Sequence, residues 1–176
     1  MFAVDQTTKH LVVTRLAEHE RVQVIGEALQ WVYVKNPGAA FSFGVNATWL
    51  FTILSTVVAV FVVTQIPKIA SVWWGIFMGL LLGGTLGNVY DRLLREPGFP
   101  NGHVVDFIYT PWMMPAVYNV ADIGIVVGMS LFVLLTLFGV RIDGTPRRVS
   151  KAAEVGLGVA ADGVAADGVS DSEGEK

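Results

Sequence analysis

The chain has 176 residues, of which 53% are hydrophobic and only 15% charged, with a mean hydropathy of +0.56. A soluble domain carries about 25% charged residues, so this balance points to a single integral membrane domain; the net charge of −3 says little, because much of the acid lies in the C-terminal tail. The absence of cysteine excludes disulfides, thiolate catalysis, zinc–thiolate sites and lipid attachment to a thiol, and His10, His19 and His103 are too scattered for metal-ligand spacing, so neither a metal nor a cofactor is expected.

In chain order, residues 1–48 hold no apolar run long enough to span. Val22-Gln23-Val24-Ile25 and Leu29-Gln30-Trp31-Val32-Tyr33-Val34 are β-rich and partly alternating, which reads as two short strands, with Asn36-Pro37-Gly38 as a turn after them. Three apolar runs follow, at about 49–66, 72–89 and 117–140, each close to the roughly 20 residues that a span requires. Between the second and third, Pro97, Gly98, Pro100 and Gly102 break any helix, so 93–116 reads as a loop. From about Gly144 the chain turns small and acidic. Gly-Val-Ala-Ala-Asp occurs at 158–162 and again at 163–167, and such a segment buries no core; 141–176 is expected to be a disordered acidic cytoplasmic tail.

Basic residues near the span ends set orientation. Arg141, Arg147, Arg148 and Lys151 put the C-terminus in the cytoplasm and Lys68 agrees, whereas Lys35, Arg92 and Arg95 lie on the other side. Three spans then leave residues 1–48 outside with nothing apolar before them and no leader. The expectation is that the first transmembrane helix is incomplete, with Met1-Phe2-Ala3-Val4 the remnant of its outer end.

Polar residues gather at the outer end of this scheme. Gly75, Gly79, Gly83 and Gly87 recur every four residues in the second run, and Gly124 and Gly128 do so in the third, a spacing that lets helix backbones approach in lipid. Asn88 and Arg92 share a helix face beside Asp91, and Asn119 and Asp122 share another. Packing alone, or an interfacial salt bridge with a snorkelling Arg92, would also account for the former. Asp122 lies inside the third run, about one and a half turns below Val117, and Asp106 sits in Val-Val-Asp-Phe-Ile within the loop.

A carboxylate at a membrane boundary is costly, and function is its first explanation. Should Asp106 and Asp122 meet, two carboxylates about 3 Å apart share one proton, so that one acts as base on water and the other as acid toward a carbonyl. A stabilising pair between Asp122 and Arg92 or Lys9 is the structural alternative. Ser42, Ser55, Ser71 and Ser130 have no His or Lys on a common face to activate them. A transporter or channel subunit with Asp122 as proton relay is a second functional class, and a non-catalytic adaptor a third. Transport asks for a polar path to the cytoplasmic side, and the inner halves of all three runs are apolar.

Five ordered motifs resemble lipoprotein signal peptidase, the bacterial type II signal peptidase, an intramembrane aspartyl protease. They are Asp5-Gln6-Thr7-Thr8-Lys9, Asn36-Pro37-Gly38-Ala39-Ala40-Phe41-Ser42, Gly83-Gly84-x-x-Gly87-Asn88-x-x-Asp91-Arg92, Val104-Val105-Asp106-Phe107 and Asn119-Val120-Ala121-Asp122, covering most of residues 4–140. The resemblance implies a membrane α-helical fold, a four-helix transmembrane bundle with a small extracytoplasmic β-cradle, and a peptidase domain over 1–140. It implies Asp106 and Asp122 as catalytic dyad. It further implies Asn36, Gly38, Gly84, Asn88, Arg92, Asn119 and Ala121 as residues shaping the substrate site, and Asp5 with Lys9 as a supporting pair. The implied substrate is a prolipoprotein carrying diacylglycerol on its lipobox cysteine, cut just before that residue. Membrane lipids and globomycin-type inhibitors are implied partners, nucleic acid is not, and the implied state is a monomer in the bacterial cytoplasmic (inner) membrane with its active site near the outer face. The loop from Leu93 to Val105 is longer than the family pattern, and the tail lies outside it.

Overall fold

In the computed structural model, residues 1–38 and 48–144 are described. Ala39–Ser42 of the second motif, and the acidic tail from residue 145 onward, lie outside the described residues.

Among the described residues, three helices are long and apolar enough to cross a membrane. α2 (Thr48–Gln65) ends in a short 3₁₀ turn, Ile66–Lys68, where Pro67 has no N–H to continue the ladder. α3 (Val72–Leu94) returns and packs against α4 (Val120–Leu137) and α2. Most of the α2 surface, including Leu50, Ile53, Leu54, Val57, Val60 and Phe61, is exposed apolar side chain, as a lipid-facing helix requires. At the Lys68 end, Val62, Phe77, Met78 and Leu135 form a core with Trp74 and Phe132 packed onto it. There the chain leaving α4 is tied back: Ile142 O accepts from the backbone N–H of Ala70 and Ser71, and Trp74 Nε1 donates to Val140 O.

At the other end a three-stranded antiparallel sheet, in the order β1–β2–β3, covers the helices. β1 (Arg21–Ile25) and β2 (Leu29–Asn36) are the strands expected from alternation. β3 (Val104–Tyr109) falls where a loop was expected, so Asp106 belongs to a strand; its register pairs Val34 with Asp106 and Asn36 with Val104. Because side chains alternate, Tyr33, Val105 and Phe107 face one side of the sheet and pack on Val12, while Asn36 and Asp106 face the other.

The N-terminal helix α1 runs from Phe2 to Arg15, well past the four residues expected of it. Its Asp5 and Lys9 make it look too polar to embed. Both are nevertheless fully buried, because Lys9 pairs with Asp5 within α1 and with Asp91 of α3. α4 also begins later than its apolar run. Val117 precedes the helix, and Asp122 therefore lies in the first turn rather than one and a half turns down.

The glycine spacing is only partly a packing device. A Cβ on Gly84 would lie 2.5 Å from Ala121 O, one on Gly87 2.5 Å from Asp5 Oδ2, and one on Gly128 3.3 Å from Leu80 Cβ, so these three permit close approach of α3 to α4 and α1. A Cβ on Gly79, by contrast, would meet no other part of the described residues within 4 Å beyond its own stretch of helix.

Candidate active site

α4 starts with a reciprocal cap. The Asn119 side chain accepts from the N–H of Asp122, and the Asp122 carboxylate accepts from the N–H of Asn119 at 3.1 Å. The segment just before it is bound to β3, since Tyr118 O accepts from the N–H of Phe107 and Ile108, and Tyr118 N–H donates back to Ile108 O. This bridge sets the head of α4 against the middle of β3 and brings Asn119 onto Asp106.

Both aspartates line one cleft of about 300 Å³, with Asn36, Gly38, Asn88, Arg92, Val104, Met114 and Tyr118 among its walls. Both oxygens of each carboxylate accept a hydrogen bond. Asp106 Oδ2 accepts from Asn36 Nδ2 at 2.8 Å, and its Oδ1 from Asn119 Nδ2 at 2.6 Å. Asp122 Oδ1 accepts from Asn88 Nδ2 at 2.8 Å, and its Oδ2 from the backbone N–H of Asn119. The donors come from amides, so they orient the carboxylates without adding a full positive charge. Burial, followed by the nearby charge of Asp122, pushes the Asp106 carboxyl up to about 7; the hydrogen bonds from Asn36 and Asn119 and the more distant Lys9 work against that rise.

Neither cation pairs with an aspartate of the cleft. Arg92 Nη1 and Nη2 donate to the carbonyls of Asn88 and Gly38, and its buried Nε has no hydrogen-bond partner among the described residues. Lys9 Nζ reaches Asp5 Oδ2 at 2.9 Å, Asp91 Oδ2 at 2.8 Å and Asn88 Oδ1 at 3.0 Å. The stabilising pair of Asp122 with Arg92 or Lys9 is therefore not formed. Asp91, read from sequence as a neighbour of Arg92, pairs instead with Lys9 and with Arg95 at 2.7 Å. The i, i+4 spacing of Asp91 and Arg95 was the available signal.

Of the residues named for substrate binding, Asn36, Gly38, Asn88 and Arg92 line the cleft. Asn119 is fully buried behind it. Gly84 and Ala121 do not line it; they meet each other where α3 crosses α4. Gly38 closes an Asx turn by donating its N–H to Asn36 Oδ1 at 2.9 Å, which holds Asn36 in place for Asp106. Ser55 and Ser130 spend their hydroxyls on carbonyls of their own helices, those of Phe51 and Val126. Beside the cleft, Met113, Met114, Tyr118, Ile123, Val126 and Val127 line an almost wholly apolar trough of about 330 Å³ that also reaches Asp122.

Comparison with known proteins gives a consistent result. A family model described as signal peptidase (SPase) II matches residues 1–138. A lipoprotein signal peptidase from Leifsonia xyli is 48% identical over 167 residues, which is 95% of this chain and 77% of that protein. One from Rhodococcus jostii is 44% identical over 151 residues, covering 86% and 75% respectively. A solved bacterial membrane enzyme, determined by the in meso method at 2.3 Å resolution, superimposes with a TM-score of 0.69 at 28% identity, over 77% of this chain and 82% of its own.

Proposed function

The chain belongs to the signal peptidase II family, and on that premise we propose that Asp106 and Asp122 form the catalytic dyad of an aspartic membrane protease. It removes signal peptides from prolipoproteins. The observation that carries the dyad is that both carboxylates open into one cleft with all their oxygens held by neutral amide donors.

The two environments divide the labour. Asp106, buried in β3 and pushed up to about 7, carries the shared proton up to about neutral pH. Asp122 lies at the positive end of the α4 dipole, which favours negative charge there relative to Asp106. Asp122 therefore takes a proton from water as the water oxygen attacks the scissile carbonyl carbon, and Asp106 gives its proton to the carbonyl oxygen. As the tetrahedral diol collapses, Asp122 gives its proton to the departing nitrogen, the C–N bond breaks, and a diol hydroxyl returns its proton to Asp106, which restores the dyad. No covalent intermediate is needed.

The Arg92 Nε, without a partner among the described residues, and the Asn36 and Asn88 amides suit the peptide carbonyls next to the cut. The apolar trough along α4 suits acyl chains, which supports a substrate already diacylglyceryl-modified on its cysteine and cut just before it. Globomycin-type inhibitors would compete for the same cleft. Since Lys68 and Arg141 lie at the opposite end, the cleft faces the outer side of the bacterial cytoplasmic membrane. The chain acts as a monomer, with a membrane domain over 1–140 and the remainder as an appended tail. A transporter is not favoured, because the Lys68 end of the bundle is filled by aromatic and aliphatic side chains. The test is cleavage of a synthetic diacylglyceryl lipopeptide by the full chain and by its Asp106→Asn and Asp122→Asn variants. Both variants should be inactive while folded, and retained cleavage by either rejects the dyad.

A further inference from the structure

Behind the dyad, and outside the cleft, lies a second buried cluster that the proposed reaction does not use. Asp5, Lys9 and Asp91 are each fully buried, and Lys9 Nζ bridges the two carboxylates. Gln6 Nε2 donates to both as well, at 3.0 Å to Asp5 Oδ2 and 3.2 Å to Asp91 Oδ1. Arg95 adds a second cation on Asp91, so two positive charges face two negative ones.

Each carboxylate has one further partner. Asp91 Oδ2 accepts from the backbone N–H of Val105 at 3.2 Å, and Asp5 Oδ1 accepts from the backbone N–H of Ala121 at 2.9 Å. Val105 immediately precedes Asp106, and Ala121 immediately precedes Asp122. The Ala121 N–H is one of the donors that a helix start leaves without an internal partner, so Asp5 supplies from α1 what α4 lacks. Lys9 does one thing more. A lysine only donates, so Asn88 must turn Oδ1 toward Lys9 and Nδ2 toward Asp122, the orientation in which Asn88 supports the carboxylate.

We propose that Asp5, Lys9 and Asp91 are positioning residues, a buried clasp in which one ammonium ties together two carboxylates that each hold the peptide N–H next to one dyad aspartate. The clasp fixes the separation of β3 and α4, and with it that of Asp106 and Asp122. This inference rests on the dyad reading above. It gives α1 a role in the chemistry without contact with substrate, and it assigns a function to Asp91. The clasp residues do not line the cleft, so loosening it affects turnover rather than binding.

The experiment compares the full chain with Asp91→Asn and with the double variant Lys9→Met/Asp5→Asn, which removes one charge of each sign. Folded protein is quantified by size-exclusion chromatography in detergent, and kcat, KM and the pH profile are measured on the diacylglyceryl lipopeptide. Displacement of reacting groups by about 1 Å costs on the order of 100-fold, so kcat per folded molecule should fall by about 10- to 100-fold with KM little changed. In the double variant the alkaline limb of the profile should also move to higher pH, because Lys9 no longer favours the Asp106 anion. Unchanged kcat and profile in folded protein, with only thermal stability lowered, overturns the clasp. If Asp91→Asn does not fold, the charge-balanced double variant decides by the same criteria. Asp106→Asn is run alongside: retained cleavage there rejects the dyad itself, whereas its loss beside full activity of the clasp variants rejects the clasp alone.

Discussion

Replacing Asp106 by Asn should abolish cleavage and at the same time make the protein more heat-stable at alkaline pH. A carboxyl whose folded pKa exceeds its unfolded one contributes stability that is complete below the unfolded value and is lost as pH rises through the folded one. For Asp106 that window runs from 3.8 to about 7. At about 1.4 kcal/mol per unit, the ionised side chain costs the fold roughly 4 kcal/mol by about pH 8, of which roughly 3 kcal/mol accrues above about pH 5. Asn does not titrate, so the variant lacks this slope. It has a cost of its own: Asn36 and Asn119 both donate to position 106, Asn has one acceptor oxygen for them, and a stranded donor costs about 1–3 kcal/mol at every pH. The difference in Tm between variant and wild type, followed by tryptophan fluorescence in detergent, should therefore rise by roughly 6–12 °C from about pH 5 to about pH 8. Titrating groups that do not interact with Asp106 contribute equally to both proteins and cancel, and loss of the Asp106 charge relieves Asp122 in the same direction. A difference that stays constant over that range would refute the argument that burial holds Asp106 protonated.

Other perturbations separate parts of the site. The kcat/KM of cleavage should follow a bell-shaped pH profile, falling about tenfold per unit above about pH 7 as the proton on Asp106 is lost, and falling at acid pH as Asp122 gains one; a rate that climbs through pH 8 would contradict the assigned acid. Asn119→Ser keeps a side-chain oxygen for the N–H of Asp122 but lacks the Nδ2 donor to Asp106 and Asn88, so the helix start should hold at a stability cost of about 1–3 kcal/mol while kcat falls by on the order of 100-fold. Gly84→Ala puts a Cβ 2.5 Å from Ala121 O and should cost about 1–3 kcal/mol, seen as lowered Tm and folded yield. Gly79→Ala, whose Cβ would meet no other part of the described residues within 4 Å beyond its own stretch of helix, should change stability by less than about 0.5 kcal/mol; equal effects at the two glycines would reject the close α3–α4 approach.

Where a residue's environment is set by its own helix or strand, sequence was a good guide. The three spans, the alternation of β1 and β2, and the shared face of Asn88 and Arg92 all follow from local period. What sequence missed is set by long-range partners. α1 carries Asp5 and Lys9, and read alone these argue against burial; they are buried because Asp91 and Arg95, more than eighty residues away, complete the charge balance. β3 was passed over because prolines and glycines precede it, although Val-Val-Asp-Phe-Ile-Tyr has the β-branched and aromatic content of a strand. The depth of Asp122 was misjudged because hydropathy places the boundary of the run and not the start of the helix. The Asn-x-x-Asp pattern of a reciprocal cap was the signal that would have corrected it. Gly84 and Ala121 matched a motif, but the contact that explains them is with each other.

The distribution of charge around the dyad also has a reason. A lysine or arginine within reach of two acidic side chains would pair with them, and an opposite charge at contact distance favours ionisation of both. Two ionised aspartates hold no proton to give to a carbonyl oxygen. The fold avoids this by assigning its cations elsewhere. Lys9 meets Asp5, Asp91 and Asn88, Arg95 meets Asp91, and Arg92 donates to the Asn88 and Gly38 carbonyls. Among the described residues, the hydrogen bonds given to the Asp106 and Asp122 carboxylates all come from amide groups. Asn88 stands between the two regions, accepting from Lys9 on one side and donating to Asp122 on the other, so the positive charge acts on the dyad through a neutral group. Asparagine at positions 36, 88 and 119 is thus a chemical requirement: lysine or arginine there would take the shared proton away, and an apolar side chain would leave buried carboxylates without donors.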